Sequence, residues 1–406
     1  MQPLSVMMIA DGTSVHTQRV LRWHLDRGCA VTLVDYNDPL PSGAASYRFV
    51  RYPGLRGMRL LRATIGRQAS DWLRRRANAY ALKRIHADYH PDLVHLYQID
   101  RRAYDCHLAG IRPLVMSSWG TDINQHFAVG ADPSYRSQTA RALAGADLVI
   151  ADAADIIAKC EALAGRRLAS AILALGIDTR LFRSGYEESA AAFRARAGIP
   201  RDSKVLFSMR ALTPLYNHES VLEAFALALP RFKPETYLVF KSYNDQAVKG
   251  YRDQLREVAH RLQVSDRVRW VGQVAFEELP GLYAAADVIL NYPTIDGFPV
   301  TFLEAAACER TVISVGLPAY SETFAEEYFR LVPPGDLKEL ADAMIQVVND
   351  GPALECLAAG REAVVRSFSE EESASRLMGI YDRLVDALRP SASQRAGRCH
   401  QESVCK

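Results

Sequence analysis

No two cysteines in this chain stand at C-x-x-C spacing, and the seven it has are an odd number scattered through apolar segments. That excludes a disulfide scaffold and a cysteine-based zinc site, and the thiols read as reduced ones in a cytoplasmic protein. A run of about eighteen consecutive apolar residues is missing too, which excludes a membrane-spanning helix. No basic stretch precedes the first apolar run, so it reads as a strand and not as a secretory leader. A net charge of +2 over 406 residues is too small to draw the chain as a whole to nucleic acid. Also absent are G-x-S-x-G, G-x4-G-K-[ST], G-x-G-x-x-G, H-E-x-x-H and D-x-D, and with them the local signals of serine-hydrolase, P-loop, dinucleotide and zincin chemistry.

What is present is an ordinary globular composition, 49% hydrophobic and 24% charged, with length for two or three domains. Short apolar runs at 6–10, 30–35 and 91–96, and another over 112–122 that ends in a turn, predict buried strands, a helix is expected over 15–26, and 146–152 and 171–178 complete this half. The pattern resumes with strands at 205–209, 237–240, 288–290 and 311–315 and helices at 219–229, 337–348 and 368–388. Such alternation predicts parallel α/β layers.

The richest stretch is Asp296-Gly297-Phe298-Pro299 followed by Leu303-Glu304-Ala305-Ala306-Ala307-Cys308, between the runs at 288–290 and 311–315. Proline suits a first helical position, so the helix is expected to start at Pro299. Its interior is apolar all round except Glu304, and a carboxylate buried there demands a hydrogen-bonding partner. Cβ atoms lean toward a helix's N-terminus, which tilts Glu304 back toward Asp296 at the crevice beyond the strand's carboxyl end. Helix N–H groups at that crevice favour an anion. A hydroxyl-rich ligand carrying phosphate fits all of this; so does a turn aspartate with a glutamate paired to a nearby arginine.

These residues resemble the E-x7-E signature of retaining glycosyltransferases of family 4, which have the GT-B fold, with Asp in place of the first Glu. The resemblance implies two Rossmann-like parallel-sheet domains facing a deep interdomain cleft. It implies that Asp296 meets the donor sugar's hydroxyls and Glu304 the nucleotide's ribose, with Gly297 and Phe298 in the same turn. Ser14, His16, Thr17 and Arg19 are similar to the family's first loop, placing Gly12 and His16 on the acceptor side, and Trp119-Gly120-Thr121-Asp122 adds Asp122. His95, in Asp92-Leu93-Val94-His95, is the histidine expected to touch the donor sugar, although Tyr97 replaces a second one. Arg210 matches the arginine that binds the donor diphosphate, and Gly272 the turn that receives the base.

One departure stands out. The lysine that usually follows the arginine is replaced by Tyr216 or Asn217, which leaves Lys241 as a substitute cation. The expected catalytic set is therefore His95, Asp296 and Arg210, with no metal and no cofactor beyond the nucleotide sugar.

The resemblance implies transfer of a hexose from a nucleotide diphosphate sugar, UDP favoured, to an acceptor hydroxyl in surface polysaccharide or glycoconjugate synthesis. A small secondary metabolite is the alternative acceptor, and a non-catalytic GT-B subunit the alternative role. The expected organisation is an acceptor-side domain over 1–183, a linker over 184–203, a nucleotide-sugar domain over 204–367, a closing helix over 368–388 returning to the first domain, and a disordered tail over 389–406. Basic residues crowd 51–84, with Asp71 as the acid among them, and Met58, Leu61, Ile65, Ala69 and Trp72 recur at helical spacing. Such a helix rests on an anionic membrane, at the inner face of the plasma membrane beside a lipid-linked acceptor, or turns its apolar stripe to the core.

Overall fold

The computed structural model describes residues 3–37, 47–52, 58–241, 245–321, 323–352 and 354–388. The chain divides into one unit of Met1–Ala151, Ile156–Leu173 and Ala374–Lys406, and a second of Asp152–Asp155 and Ala174–Ser373.

The first unit is built on β1 (Ser5–Ile9), β2 (Ala30–Asp35), β3 (Arg48–Arg51), β4 (Leu93–Tyr97), β5 (Leu114–Ser117), β6 (Leu148–Ala151) and β7 (Ser170–Ile172). They pair in parallel in the order β3-β2-β1-β4-β5-β6-β7. Continuous apolar runs suit the central strands, which are covered on both faces. The order reverses between β1 and β4, so the loops after these two strands part and leave a crevice at their carboxyl ends. The second unit repeats the design with β8 (Lys204–Ser208), β9 (Thr236–Lys241), β10 (Val268–Val271), β11 (Val288–Asn291), β12 (Thr311–Val315) and β13 (Arg330–Val332), in the order β10-β9-β8-β11-β12-β13. Its reversal falls between β8 and β11.

The segment 184–203 is no bare linker: helix Glu187–Arg196 packs against helix Leu279–Ala285, and Arg194 donates to the Ala285 carbonyl and to Asp287. The expected closing helix is Glu370–Leu388, and from Ala374 on it belongs to the first unit. The expected tail over 389–406 lies outside the described residues.

The basic segment forms helix Met58–Tyr89, broken at Gly66, whose φ of 79° is not helical. Side chains of Met58, Leu61 and Ile65 lie outside the described residues. Beyond the kink, Ala69 and Trp72 are exposed, so this part of the stripe does not face the core. The buried face is Ser70, Arg75, Asn78, Ala79 and Leu82. Asp105 anchors it, accepting from Arg75 at 2.7 Å, Asn78 at 2.8 Å and Tyr52 at 2.9 Å.

Candidate functional site

Arg210 follows β8 and Asp296 follows β11, so the reversal of the second sheet brings them together. The guanidinium reaches Asp296 Oδ2 at 3.0 Å and Oδ1 at 3.2 Å. Tyr216 lies beneath it, ring centroid 4.2 Å from the guanidinium carbon. Burial works against this cation, but Asp296, Tyr216 and Tyr320 together raise its pKa above the ordinary value. Burial also raises the Asp296 carboxyl above its usual range, against the pull of Arg210, Tyr320 and the Gly297 N–H. Tyr320 donates to Asp296 Oδ2 at 3.1 Å and accepts from Asn291 at 3.1 Å. A shorter acid at 296 is thus tied into a ring of partners.

Helix Val300–Ala307 presents Glu304, and Pro299 stands just before it with an extended ψ of 133° instead of occupying the first turn. The Glu304 carboxylate accepts from the Tyr283 hydroxyl at 2.6 Å. This is the partner that a carboxylate in an apolar helix requires. Lys241 ends β9 and is 1% exposed. Burial draws its ammonium down to about 8, with Glu304 resisting.

Gly297 is a close-approach glycine: a Cβ there would lie 2.5 Å from Asp152 Oδ2. The same carboxylate oxygen accepts the Phe298 N–H at 3.0 Å. Phe298 was expected in donor binding, but its N–H is held by Asp152 and its ring packs on Phe302 and Phe368. It positions the turn instead. Gly272 is exposed just after β10. Neither replacement for the missing lysine offers a cation: Tyr216 serves Arg210, and Asn217, at φ 49°, accepts from Ser220 at 3.0 Å.

In the first unit the loop after β1 is pinned by the Gly12 N–H donating to Asp35 Oδ2 at 2.7 Å. His16, half-buried, meets the Trp119 ring edge-on at 5.5 Å. Thr17 and Arg19 are buried. Two expectations fail here. His95 is fully buried: one ring nitrogen bonds the Tyr381 hydroxyl, the other Ser117 Oγ at 2.7 Å, and burial holds its pKa well below the usual value. With both nitrogens used by its own unit it is a core residue. Asp122 is also buried, accepting from Ile99 N at 2.6 Å, Ser118 Oγ at 2.8 Å and Trp119 N at 3.1 Å. It fastens the loop carrying Trp119 and is not presented to an acceptor.

Asp152, Tyr283, Tyr320 and the role of Tyr216 escape sequence reasoning. Tyr320 is 24 residues from Asp296, and nothing local in the sequence links the two.

Residues 5–153 match the model described as glycosyl transferase 4-like, and residues 189–362 the model described as glycosyl transferases group 1. The D-inositol 3-phosphate glycosyltransferase of Saccharomonospora viridis is 30% identical over 224 residues, 53% of this chain and 51% of that protein. The lipopolysaccharide core biosynthesis mannosyltransferase of Rhizobium meliloti is 23% identical over 214 residues, 52% of this chain and 60% of that protein. The chain spans about half the length of the curated relatives it matches. In fold it is similar to Anabaena HepE, solved with UDP and glucose, at a TM-score of 0.73 and 16% identity over 94% of this chain and all of that one.

Proposed function

The chain belongs to the group 1, family 4-like glycosyltransferases, and from that premise we propose that it transfers a hexose from a nucleoside diphosphate sugar to an acceptor hydroxyl with retention of configuration. The observation that carries the reading is the Arg210–Asp296 pair at the sheet reversal, with Glu304 presented by the adjoining helix. A planar guanidinium suits a diphosphate. Carboxylates suit sugar hydroxyls, Asp296 for the hexose and Glu304 for the ribose.

In the step itself the anomeric carbon–oxygen bond to the diphosphate breaks, and the acceptor oxygen bonds on the same face. The acceptor proton passes to the leaving phosphate oxygen. Arg210 and Lys241 supply the charge the leaving group needs, so no metal is required. On the first unit, Gly12 and His16 are the acceptor-side residues.

HepE's own ligand makes UDP the base to try first. The name of the Rhizobium relative favours an acceptor in a surface glycoconjugate. An anionic membrane as the place of work is favoured by Trp72 and Tyr80, exposed by 59% and 67% on the basic helix.

Calorimetric titration without metal, against nucleoside diphosphates and nucleotide sugars, tests the donor. Micromolar binding to one base, lost in Arg210→Ala and Glu304→Ala, is expected. Folded protein that binds none of them would instead point to a non-catalytic subunit. Retention is checked from the anomer of the first product.

A further inference from the structure

Asp296 is reached by a chain of three buried polar side chains. Asn291 ends β11, Ser314 stands opposite it in β12, and Tyr320 closes the turn Pro318–Tyr320. All three are at most 1% exposed. Ser314 Oγ donates to the Val315 carbonyl at 3.1 Å, and Asn291 Nδ2 donates to Ser314 Oγ and to the Tyr320 hydroxyl at 3.1 Å each. That hydroxyl donates to Asp296 Oδ2 at 3.1 Å. The Tyr320 ring is held edge-on by Phe302 at 5.0 Å, a residue of the helix that presents Glu304.

The two ends of the chain set the direction of its protons. A backbone carbonyl and an ionised carboxylate can only accept, so both hydroxyl protons point outward, one to Val315 and one to Asp296. The group between them must then donate twice, and only the nitrogen side of the Asn291 amide does that. Asn291 Oδ1 is left buried with no hydrogen-bond partner among the described residues, and an acceptor left so needs a reason beyond packing. Turning the amide over would give this oxygen two donors, but it would draw the Tyr320 proton away from Asp296.

We propose that Tyr320 is a positioning residue for Asp296, its proton ordered by Asn291 and Ser314 so that one carboxylate oxygen stays occupied and the acid stays an acceptor for the donor's hexose. This rests on the donor reading above and deepens it. Arg210 and the Gly297 N–H also face this carboxylate, with Tyr216 against the guanidinium and Asp152 beside Gly297. Burial favours the neutral form of Asp296, and the bonds from Arg210, Tyr320 and Gly297 oppose it. Tyr320 itself stays protonated, since burial and Asp296 hold its pKa well above the usual value. Once a diphosphate claims part of the guanidinium, the Tyr320 and Gly297 bonds are what keep the carboxyl ionised.

Two measurements on the full chain and its Tyr320→Phe and Asn291→Leu variants, each checked for an intact thermal transition, test this. One is titration calorimetry with UDP, GDP and the corresponding glucose and mannose nucleotides. The other is carbon-13 NMR of protein labelled at its aspartate carboxyls, the Asp296 signal being the one missing from Asp296→Asn. In Tyr320→Phe the bare diphosphate is expected to bind within a few-fold of the parent, the nucleotide sugar to lose about tenfold or more, and Asp296 to titrate higher by about half a pH unit or more. Asn291→Leu removes the donor to the Tyr320 oxygen and so weakens the tyrosine as a donor in turn; both readouts move the same way by less. Larger changes in Asn291→Leu than in Tyr320→Phe would overturn the proposed order. Nucleotide sugar bound by Tyr320→Phe as by the parent, or an Asp296 titration that does not move, would overturn the positioning role. Equal weakening of diphosphate and nucleotide sugar would do so too, since that marks a general structural loss. If the parent binds none of these nucleotides the donor reading falls, and the Asp296 titration alone decides whether Tyr320 orders the carboxylate.

Discussion

Arg210 and Asp296, 86 residues apart, form an ion pair at 3.0 Å where the second sheet reverses its strand order. Both charges are largely removed from water, so cutting one strands the other. Arg210→Ala is expected to lower stability by about 3 kcal/mol, and Asp296→Asn by less because Tyr320 still meets the amide. The double variant recovers part of the loss, giving a coupling of about 1–3 kcal/mol. Urea unfolding of the four proteins measures it, and strictly additive losses would contradict the pairing.

Gly297→Ala places a methyl 2.5 Å from a carboxylate oxygen of Asp152. Either the turn or Asp152 must shift, and the bond from the Phe298 N–H to that oxygen goes with it. A loss of about 1–3 kcal/mol is expected, together with weaker nucleotide sugar binding, because the turn also sets Asp296. Combining it with Asp152→Ala relieves the clash, so that the double variant loses less than the sum of the two single changes. Thermal unfolding and donor titration on the same samples decide whether the two losses travel together.

Stability should fall in mild acid for a specific reason. Burial lowers His24 and His218 from the usual 6.5 to about 4. An unfolded histidine takes up its proton below about 6.5, while these folded rings resist until about 4. Their contribution is therefore fully present above about pH 6.5, declines as pH drops, and levels off below about 4; each ring accounts for about 3 kcal/mol. His95 acts in the same direction. Urea midpoints between pH 7 and 4.5 give the slope, and His218→Asn should flatten it. An identical slope in that variant would remove the assignment.

Trp72 and Tyr80 are both exposed on the basic helix, eight residues apart, and between them the Arg76 guanidinium lies 5.5 Å from the Trp72 ring. Aromatic and basic groups on one exposed face suit the headgroup layer of an anionic bilayer. Sedimentation with phosphatidylserine vesicles at low salt should recover the protein, and phosphatidylcholine vesicles should not. Replacing Trp72, Arg76 and Tyr80 by alanine is expected to cut binding by about tenfold or more, at about 1 kcal/mol for the arginine alone. Equal recovery by both lipids, or no effect of the triple change, would exclude this surface.

Periodicity and composition determined the fold class, the central strands and the approximate place of each long helix, because a strand buried on both faces must be apolar along its whole length. They also marked Arg210, Asp296 and Glu304, since charge at the end or in the middle of an apolar element needs a reason. The edge strands β3, β7 and β13 left no such trace: they have three or four residues each and one neighbour to satisfy. Helix Glu187–Arg196 was read as linker because alanine and charge dominate it, and only its contact with a distant helix shows what it covers.

Side-chain partnership was beyond the sequence altogether. That His95 and Asp122 are consumed by internal hydrogen bonds, that Tyr283 holds Glu304, and that Asp152 forbids a side chain at 297 all depend on atoms brought within about 3 Å across long sequence separations. Hydrophobic patterning acts over one element at a time and determines which face is buried. Hydrogen bonds and ion pairs are short-ranged and directional, so the choice between a working residue and a fastening one was made only when the strands took their order in the sheet.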